Sequence, residues 1–299
     1  MTFFGFIILF FATYSINALI SRNECRIDKK RLVFISILLA VFFVFLYQAR
    51  RGLDYNMVVL GCMAVAFTGV NLFVGNKTNL RFVLGLEEPS KPGGPHGWGN
   101  IPVDDRQPGK LLAAFNGGFI AEHGGYGAMA DGITALAGRA GLATLAIYND
   151  ESVRIGEWGD DFYTDGDYRA WRQNALMIVH HGDINEKVYT GTEAEWGANL
   201  DGATVTMRSS LGISEENSVL YYFAGPSLSM PILADAMVAV GVHNGLLLDI
   251  NPTHAHFTAM REQDGELVAE ALYPEEMDLW VDRYLRQWDQ DFFYIIVKE

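Results

Sequence analysis

The sequence predicts an α+β domain of mixed and antiparallel sheets with a few helices, preceded by N-terminal transmembrane helices. Three observations carry that expectation. Short apolar runs of strand length alternate with Gly, Asn and Asp turn clusters from Leu111 onward. Two stretches carry helix signals, and so short a supply of helix among many strands fits an α+β layering. Ahead of all this stand three long apolar runs, Thr2 to Ile20, Leu32 to Tyr47 and Met57 to Val74. Each is near the length that crosses a hydrocarbon core as a helix, the form in which backbone groups pair internally.

These runs set the organisation: a membrane region over 1–76, a linker over 77–109 and a folded domain over 110–299. The stretch Glu87 to Pro108, rich in Pro and Gly, supplies the linker composition. Arg22, Arg26, Lys29, Lys30 and Arg31 crowd the first loop, and such loops favour the cytoplasmic side. With three spans, that rule places the domain inside as well.

The strand expectations run in order. Leu111 to Phe115 ends at Asn-Gly-Gly. Ala143 to Tyr148 and Ser152 to Ile155 flank Asn149-Asp150 and read as a hairpin. Ala175 to His180 stops at Gly182-Asp183. Thr204 to Met207, Val219 to Phe223, Leu246 to Leu248 and Phe292 to Val297 complete the set. In Ser229 to Val240, Ser229 suits an N-cap, Pro231 suits the first turn and Gly241 suits a left-handed stop. Pro274 to Gln287 carries acidic residues early and Arg283 and Arg286 late, as the helix dipole favours.

The chain carries −14 over 299 residues. Of its 22 basic and 36 acidic residues, seven and three precede Lys77, leaving −18 on the remainder. Such a surface repels phosphate backbones, which argues against a nucleic-acid partner. Cys25 and Cys62 both precede the domain, so no disulfide or thiol chemistry belongs to it.

Several positions could carry chemistry. Asn116-Gly117-Gly118 either lets backbone approach a ligand or makes a tight turn. Arg208-Ser209-Ser210 either clamps an anion or carries a surface arginine with an acidic neighbour. Asp249 stands where an apolar strand stops, as a catalytic carboxylate or as the cap of the Asn251-Pro252 turn. His254 and His256, at i and i+2, could join Asp249 around a divalent metal. His180-His181 would point to opposite faces of a strand. Gly124-Gly125-Tyr126-Gly127 lacks the strand-to-helix context of a nucleotide loop.

Taken in order, Leu111–Phe119, Arg154-Ile155-Gly156-Glu157-Trp158-Gly159, Arg172-Gln173-Asn174, Arg208-Ser209-Ser210-Leu211-Gly212-Ile213 and Leu248-Asp249-Ile250-Asn251-Pro252 resemble the phosphodiester glycosidase family. That family includes the lysosomal uncovering enzyme and bacterial proteins associated with exopolysaccharide synthesis. The turn after Asp249 departs from the glycine-rich turn of the lysosomal branch and is similar to a bacterial one.

The resemblance implies a glycosidase that hydrolyses a sugar-phosphate diester at the anomeric carbon, on a glycan or glycoconjugate, with no cofactor required. Asp249 would stabilise or attack the oxocarbenium-like sugar. Arg208 would offset charge on the departing phosphate. Glu122 or Asp131 would supply a second carboxylate. Asn116, Gly117, Gly118, Asn174, Ser209 and Asn251 would bind substrate. The family's substrates also imply an extracytoplasmic domain held at the lipid bilayer, against the basic first loop. A metal-dependent hydrolase and a non-catalytic carbohydrate-binding or assembly domain are the alternatives.

Overall fold

In a computed structural model of the chain, residues 11–15, 67–73, 77–197, 205–277 and 279–298 are described. The first sheet has seven strands: β1 (Phe11–Ser15), β2 (Phe67–Phe73), β10 (Met177–His180), β11 (Asp183–Ile184), β12 (Thr206–Ile213), β13 (Val219–Leu228) and β14 (Asn244–Leu247). They lie in the order β1-β2-β13-β12-β14-β10-β11. The second sheet runs β16-β15-β4-β17-β3, made of β3 (Thr78–Val83), β4 (Leu111–Asn116), β15 (Phe257–Gln263), β16 (Glu266–Ala271) and β17 (Phe292–Val297). The third runs β6-β5-β9-β7-β8, from β5 (Ala128–Ala130), β6 (Ile133–Leu136), β7 (Ala143–Tyr148), β8 (Val153–Glu157) and β9 (Tyr168–Gln173). Every pairing is antiparallel except β1 with β2. The β-rich α+β expectation is met.

All three sheets turn a face to one core. Phe115, Phe257 and Phe293 enter it from the second sheet, Leu211, Ile213 and Tyr222 from the first, and Leu145, Ile147 and Ile155 from the third. Strand alternation explains how one strand serves two layers. In β17, Phe293 and Ile295 face this core, while Phe292, Tyr294 and Ile296 pack on Tyr284 and Ile101 behind the sheet. The first sheet is covered behind by α3 (Met230–Ala239), through Leu233, Ala236 and Met237. This helix begins after Ser229, holds Pro231 in its first turn and stops at Gly241 with φ +85°, as its sequence signals require. Two single-turn helices, α1 (Lys187–Thr190) and α2 (Glu193–Trp196), precede it in the chain.

Four expectations change. The apolar runs meant to span a bilayer lie largely outside the described residues. Where they are described, Phe11–Ser15 and Phe67–Phe73 are strands, and β2 pairs along β13 from Val219↔Phe73 to Ala224↔Thr68. Inter-strand bonds there satisfy the backbone groups that a spanning helix would pair within itself. Among the described residues no helix is long and apolar enough to cross a membrane. The stretch expected to be linker contributes β3, paired with β17 over all six of its residues.

Its Gly-rich part is packed as well. Gly97 N–H donates to Gly85 O at 2.9 Å, and Trp288 N–H donates to Gly99 O at 2.8 Å. A Cβ on Gly97 would overlap the carbonyl of Leu84, so glycine here serves close backbone approach rather than freedom. Finally, Pro274 to Gln287 is not one helix. It holds α4 (Pro274–Met277) and a 3-10 turn, Arg283–Leu285, separated by Trp280 at φ +53°. A non-glycine residue in that left-handed region cannot continue a right-handed helix.

Candidate functional site

β4 runs between β15 and β17, buried throughout, and delivers Asn116 to the sheet edge. Its amide is fully engaged. Nδ2 donates to Ser209 Oγ and to Gly117 O, both at 3.0 Å. Oδ1 accepts from Tyr222 Oη at 3.0 Å and from His256 N–H at 3.1 Å. An asparagine amide has two donors and two lone pairs, so none remains for a ligand. Ser209 passes the chain onward, its Oγ donating to Asp249 O at 2.7 Å. Three separate motifs thus meet at the ends of β4 and β14 and on β12.

Asp249 is 2% exposed. Its Oδ1 accepts from Asn251 N–H at 2.8 Å and Asn251 Nδ2 at 2.9 Å. That oxygen caps the Asn-Pro turn, one of the two roles the sequence left open. Oδ2 faces His254 Nδ1 at 3.5 Å, and the His254 side chain is 31% exposed. Asn251 Oδ1 is buried and meets no hydrogen-bond donor among the described residues.

Beyond Asn116 the backbone crosses a buried ion pair. Arg172 Nε donates to Asp291 Oδ2 at 2.8 Å and its second terminal nitrogen to Asp291 Oδ1 at 3.3 Å. The remaining donors reach Phe119 O at 2.7 Å, Tyr126 O at 3.2 Å and Gln173 O at 2.8 Å. All five guanidinium N–H groups are spent, so Arg172 positions the loop and has no donor left for substrate. Asp291 receives Gly117 N–H on its carbonyl at 3.0 Å and Gly118 N–H on Oδ2 at 3.3 Å. A Cβ on Gly117 would overlap that carboxylate, which explains the glycine. Asn174 closes the turn, accepting from Phe119 N–H at 3.4 Å and donating to Leu247 O at 2.5 Å.

The other expected residues scatter. Arg208 is 5% exposed and leaves β12 on the face opposite Ser209, its Nε donating to Leu228 O at 2.9 Å. Burial pulls its guanidinium down to about 10, which keeps it cationic at neutral pH. Glu122 is exposed on the 3-10 turn Ala121–His123. Asp131 is a correction. It occupies the turn between β5 and β6 at φ +46° and pairs with Arg169 at 3.6 Å on the surface, so the hairpin carries it away from Asp249.

The metal alternative on His254 and His256 is corrected too. His256 is fully buried, edge-on to Tyr284, whereas His254 lies half-buried between Asp249 and Gln290. The two rings do not form a ligand group with Asp249 among the described residues.

Sequence reasoning missed three residues. Arg172, on β9, stands two residues before Asn174, a spacing that could have pointed to it. Asp291 gives no local signal. Glu88 lies in the stretch read as linker, where its Oε2 accepts Ala121 N–H at 2.6 Å. Burial, helped by Asp291, holds its carboxyl above the usual range.

No family model matches the sequence, and no curated protein matches it. Three solved structures align with parts of the chain. The zebrafish N-acetylglucosamine-1-phosphodiester alpha-N-acetylglucosaminidase catalytic domain, auto-inhibited by its pro-peptide, aligns with a TM-score of 0.49 at 14% identity, covering 74% of this chain and 73% of that one. A hypothetical protein from Synechocystis aligns with a TM-score of 0.34 at 9% identity, over 78% of this chain and 64% of that one. An exported protein from Burkholderia pseudomallei aligns at 0.30 and 10%, over 74% and 54%.

Proposed function

We propose that the domain hydrolyses a sugar-phosphate diester at the anomeric carbon, on a glycan or glycoconjugate. The observation that carries this is the Asp249 carboxylate: buried, locked on Oδ1 by Asn251, and turned through Oδ2 toward a half-exposed imidazole. In that position it can stabilise positive charge developing on a sugar ring. The motif order that resembles the phosphodiester glycosidases adds the substrate class.

In the proposed reaction, water adds to the anomeric carbon and the bond from that carbon to the phosphate oxygen breaks. The phosphate monoester leaves and the water proton passes to a base. His254, oriented by Asp249, is the proton acceptor in reach of solvent. Glu88, with its raised carboxyl, replaces Glu122 and Asp131 as the second carboxyl group. Arg208, buried on the face of β12 opposite Ser209 and bonded to Leu228 O, has no part in this reaction. Asn116, Ser209, Asn174, Gly117 and Gly118 move from substrate binding to positioning, because their polar groups are engaged within the fold. Asn251 Oδ1 keeps a substrate role, since a sugar hydroxyl would satisfy it.

The test is turnover of an aryl phosphodiester of an N-acetylhexosamine. The parent should turn over, and Asp249→Asn should lose roughly 10²–10³-fold while keeping its circular dichroism. A parent inactive on every sugar-phosphate diester tried would overturn the proposed function.

The same proposal puts the domain outside the cytoplasm, held at the bilayer through the apolar run Leu32 to Tyr47, which lies outside the described residues. Protease added to intact cells or spheroplasts should then digest the domain. Full protection until the membrane is breached would reverse that placement.

A further inference from the structure

We propose that Asp161, His180, His181 and His243 form a binding site for one divalent transition-metal ion of the Zn²⁺ class. The site stands apart from Asp249. His243 precedes β14 and Asp249 follows it, so six residues of near-extended chain separate them by roughly 20 Å.

Local backbone geometry gathers the four side chains. β10 ends at His180, and the turn to β11 is His181-Gly182, with φ +52° and +85°. In a continuing strand His181 would point away from His180. The left-handed turn instead swings its ring back, and the two imidazoles stack at 4.1 Å and 24°. This reverses the opposite-face expectation from sequence. Gly182 N–H then donates to His243 O at 2.8 Å, and His181 N–H donates to Asn244 Oδ1 at 2.8 Å. These bonds hold the turn against the start of β14 and bring His243 Nε2 to 3.4 Å from His181 Nδ1. From the third sheet, the loop after β8 places Asp161 Oδ2 at 3.2 Å from His180 Nε2. Glu157 N–H donates to that same oxygen at 2.7 Å and fixes the carboxylate.

The spacing fits a metal. Ligating atoms of Asp161, His180 and His181 all lie within 4.8 Å of one another. Ligands about 2.0–2.1 Å from a tetrahedral ion sit about 3.3 Å apart. The 3.2 Å and 3.4 Å contacts already match that edge. Small rotations of half-exposed rings close the rest, because solvent rather than packed core surrounds them. Imidazoles with one carboxylate suit Zn²⁺, Ni²⁺ or Cu²⁺ and are a poor match for Ca²⁺ or Mg²⁺, which prefer all-oxygen shells. The competing account is a surface network in which Asp161 merely hydrogen-bonds to His180. It would not explain three rings drawn together from two turns, one through a left-handed non-glycine residue.

A bound ion would tie the β8 loop of the third sheet to the β10–β11 turn and the start of β14 in the first. Its expected role is therefore structural. Binding only to the folded state raises the thermal midpoint by mass action.

The experiment uses the full chain without a polyhistidine tag, stripped with chelator and titrated calorimetrically with ZnCl₂. One equivalent should bind, with a rise of several degrees in thermal midpoint at saturation. His181→Ala and His243→Ala should each weaken binding by about 100-fold or more, while His96→Ala and His123→Ala leave it unchanged. A second measurement needs no variant. Co²⁺ added to the parent should give visible d–d absorption that one equivalent of Zn²⁺ abolishes. Absence of stoichiometric Zn²⁺ binding, absence of the Co²⁺ bands, or full affinity in the His181→Ala/His243→Ala double variant would each overturn the site.

Discussion

Asp291→Asn should destabilise the domain by about 3–5 kcal/mol, the usual cost of leaving one member of a buried ion pair uncompensated. Both side chains of the Arg172–Asp291 pair are 1% exposed. The substitution keeps the shape and one acceptor but removes the charge that balances a guanidinium with no route to water. It also weakens the carboxylate contact to Gly118 N–H, so the turn after Asn116 loosens together with the core. Arg172→Met should cost a similar amount, because it strands the carboxylate and three backbone carbonyls. Urea unfolding at neutral pH measures both. A shift below about 1 kcal/mol for either would show that the pair does not anchor the site.

The second large effect is acid sensitivity centred on His256. Burial, reinforced by the Arg283 charge, pulls this imidazole from 6.5 down to about 3. As pH falls through 6.5 the unfolded chain takes a proton there, while the folded chain stays neutral until about 3. The unfolded state binds more protons across that window, so the stability present above pH 6.5 is lost on acidification. The slope approaches about 1.4 kcal/mol per pH unit for one group. Titrating carboxylates add their own slope, so the comparison is with His256→Gln, which is neutral at every pH. Between pH 7 and 4.5 the parent should lose about 2–3 kcal/mol more than this variant in urea unfolding. Equal losses would mean that His256 titrates as an exposed histidine does.

Much of the fold was legible because it is written locally. Short apolar runs bounded by turn clusters, the Asn149-Asp150 turn and the Ser229–Gly241 signals each act within a few residues, and the corresponding elements form. The glycine-rich stretch near Gly97 was misread because composition cannot distinguish a mobile linker from backbone packed too closely for a Cβ. The apolar runs before residue 77 pose the same difficulty, since length and hydropathy do not report that residues 67–73 find a partner in β13. At the site, Asn116, Ser209 and Asp249 were each visible as strand-associated polar residues, and they do meet. Their division of labour was not visible. Whether an amide has spare hydrogen-bonding capacity depends on Tyr222 and His256, 106 and 140 residues away. Asp291, which lies 119 residues from Arg172, leaves no pattern near either partner.

The strand order of the second sheet has a consequence for how the protein reaches this structure. β3 joins that sheet through β17 alone, and β17 also completes β4. Residues near 80 and 113 therefore wait for residues near 295, a loop closure across some two hundred residues. Closing so long a loop costs entropy before any contact repays it, and topologies of this kind fold slowly. On the ribosome, β3 would emerge some two hundred residues before its partner and remain an unpaired edge over that interval, exposed to self-association or in need of a chaperone. The turn beneath Asn116 would be equally late, since Asp291 immediately precedes the strand that closes the sheet.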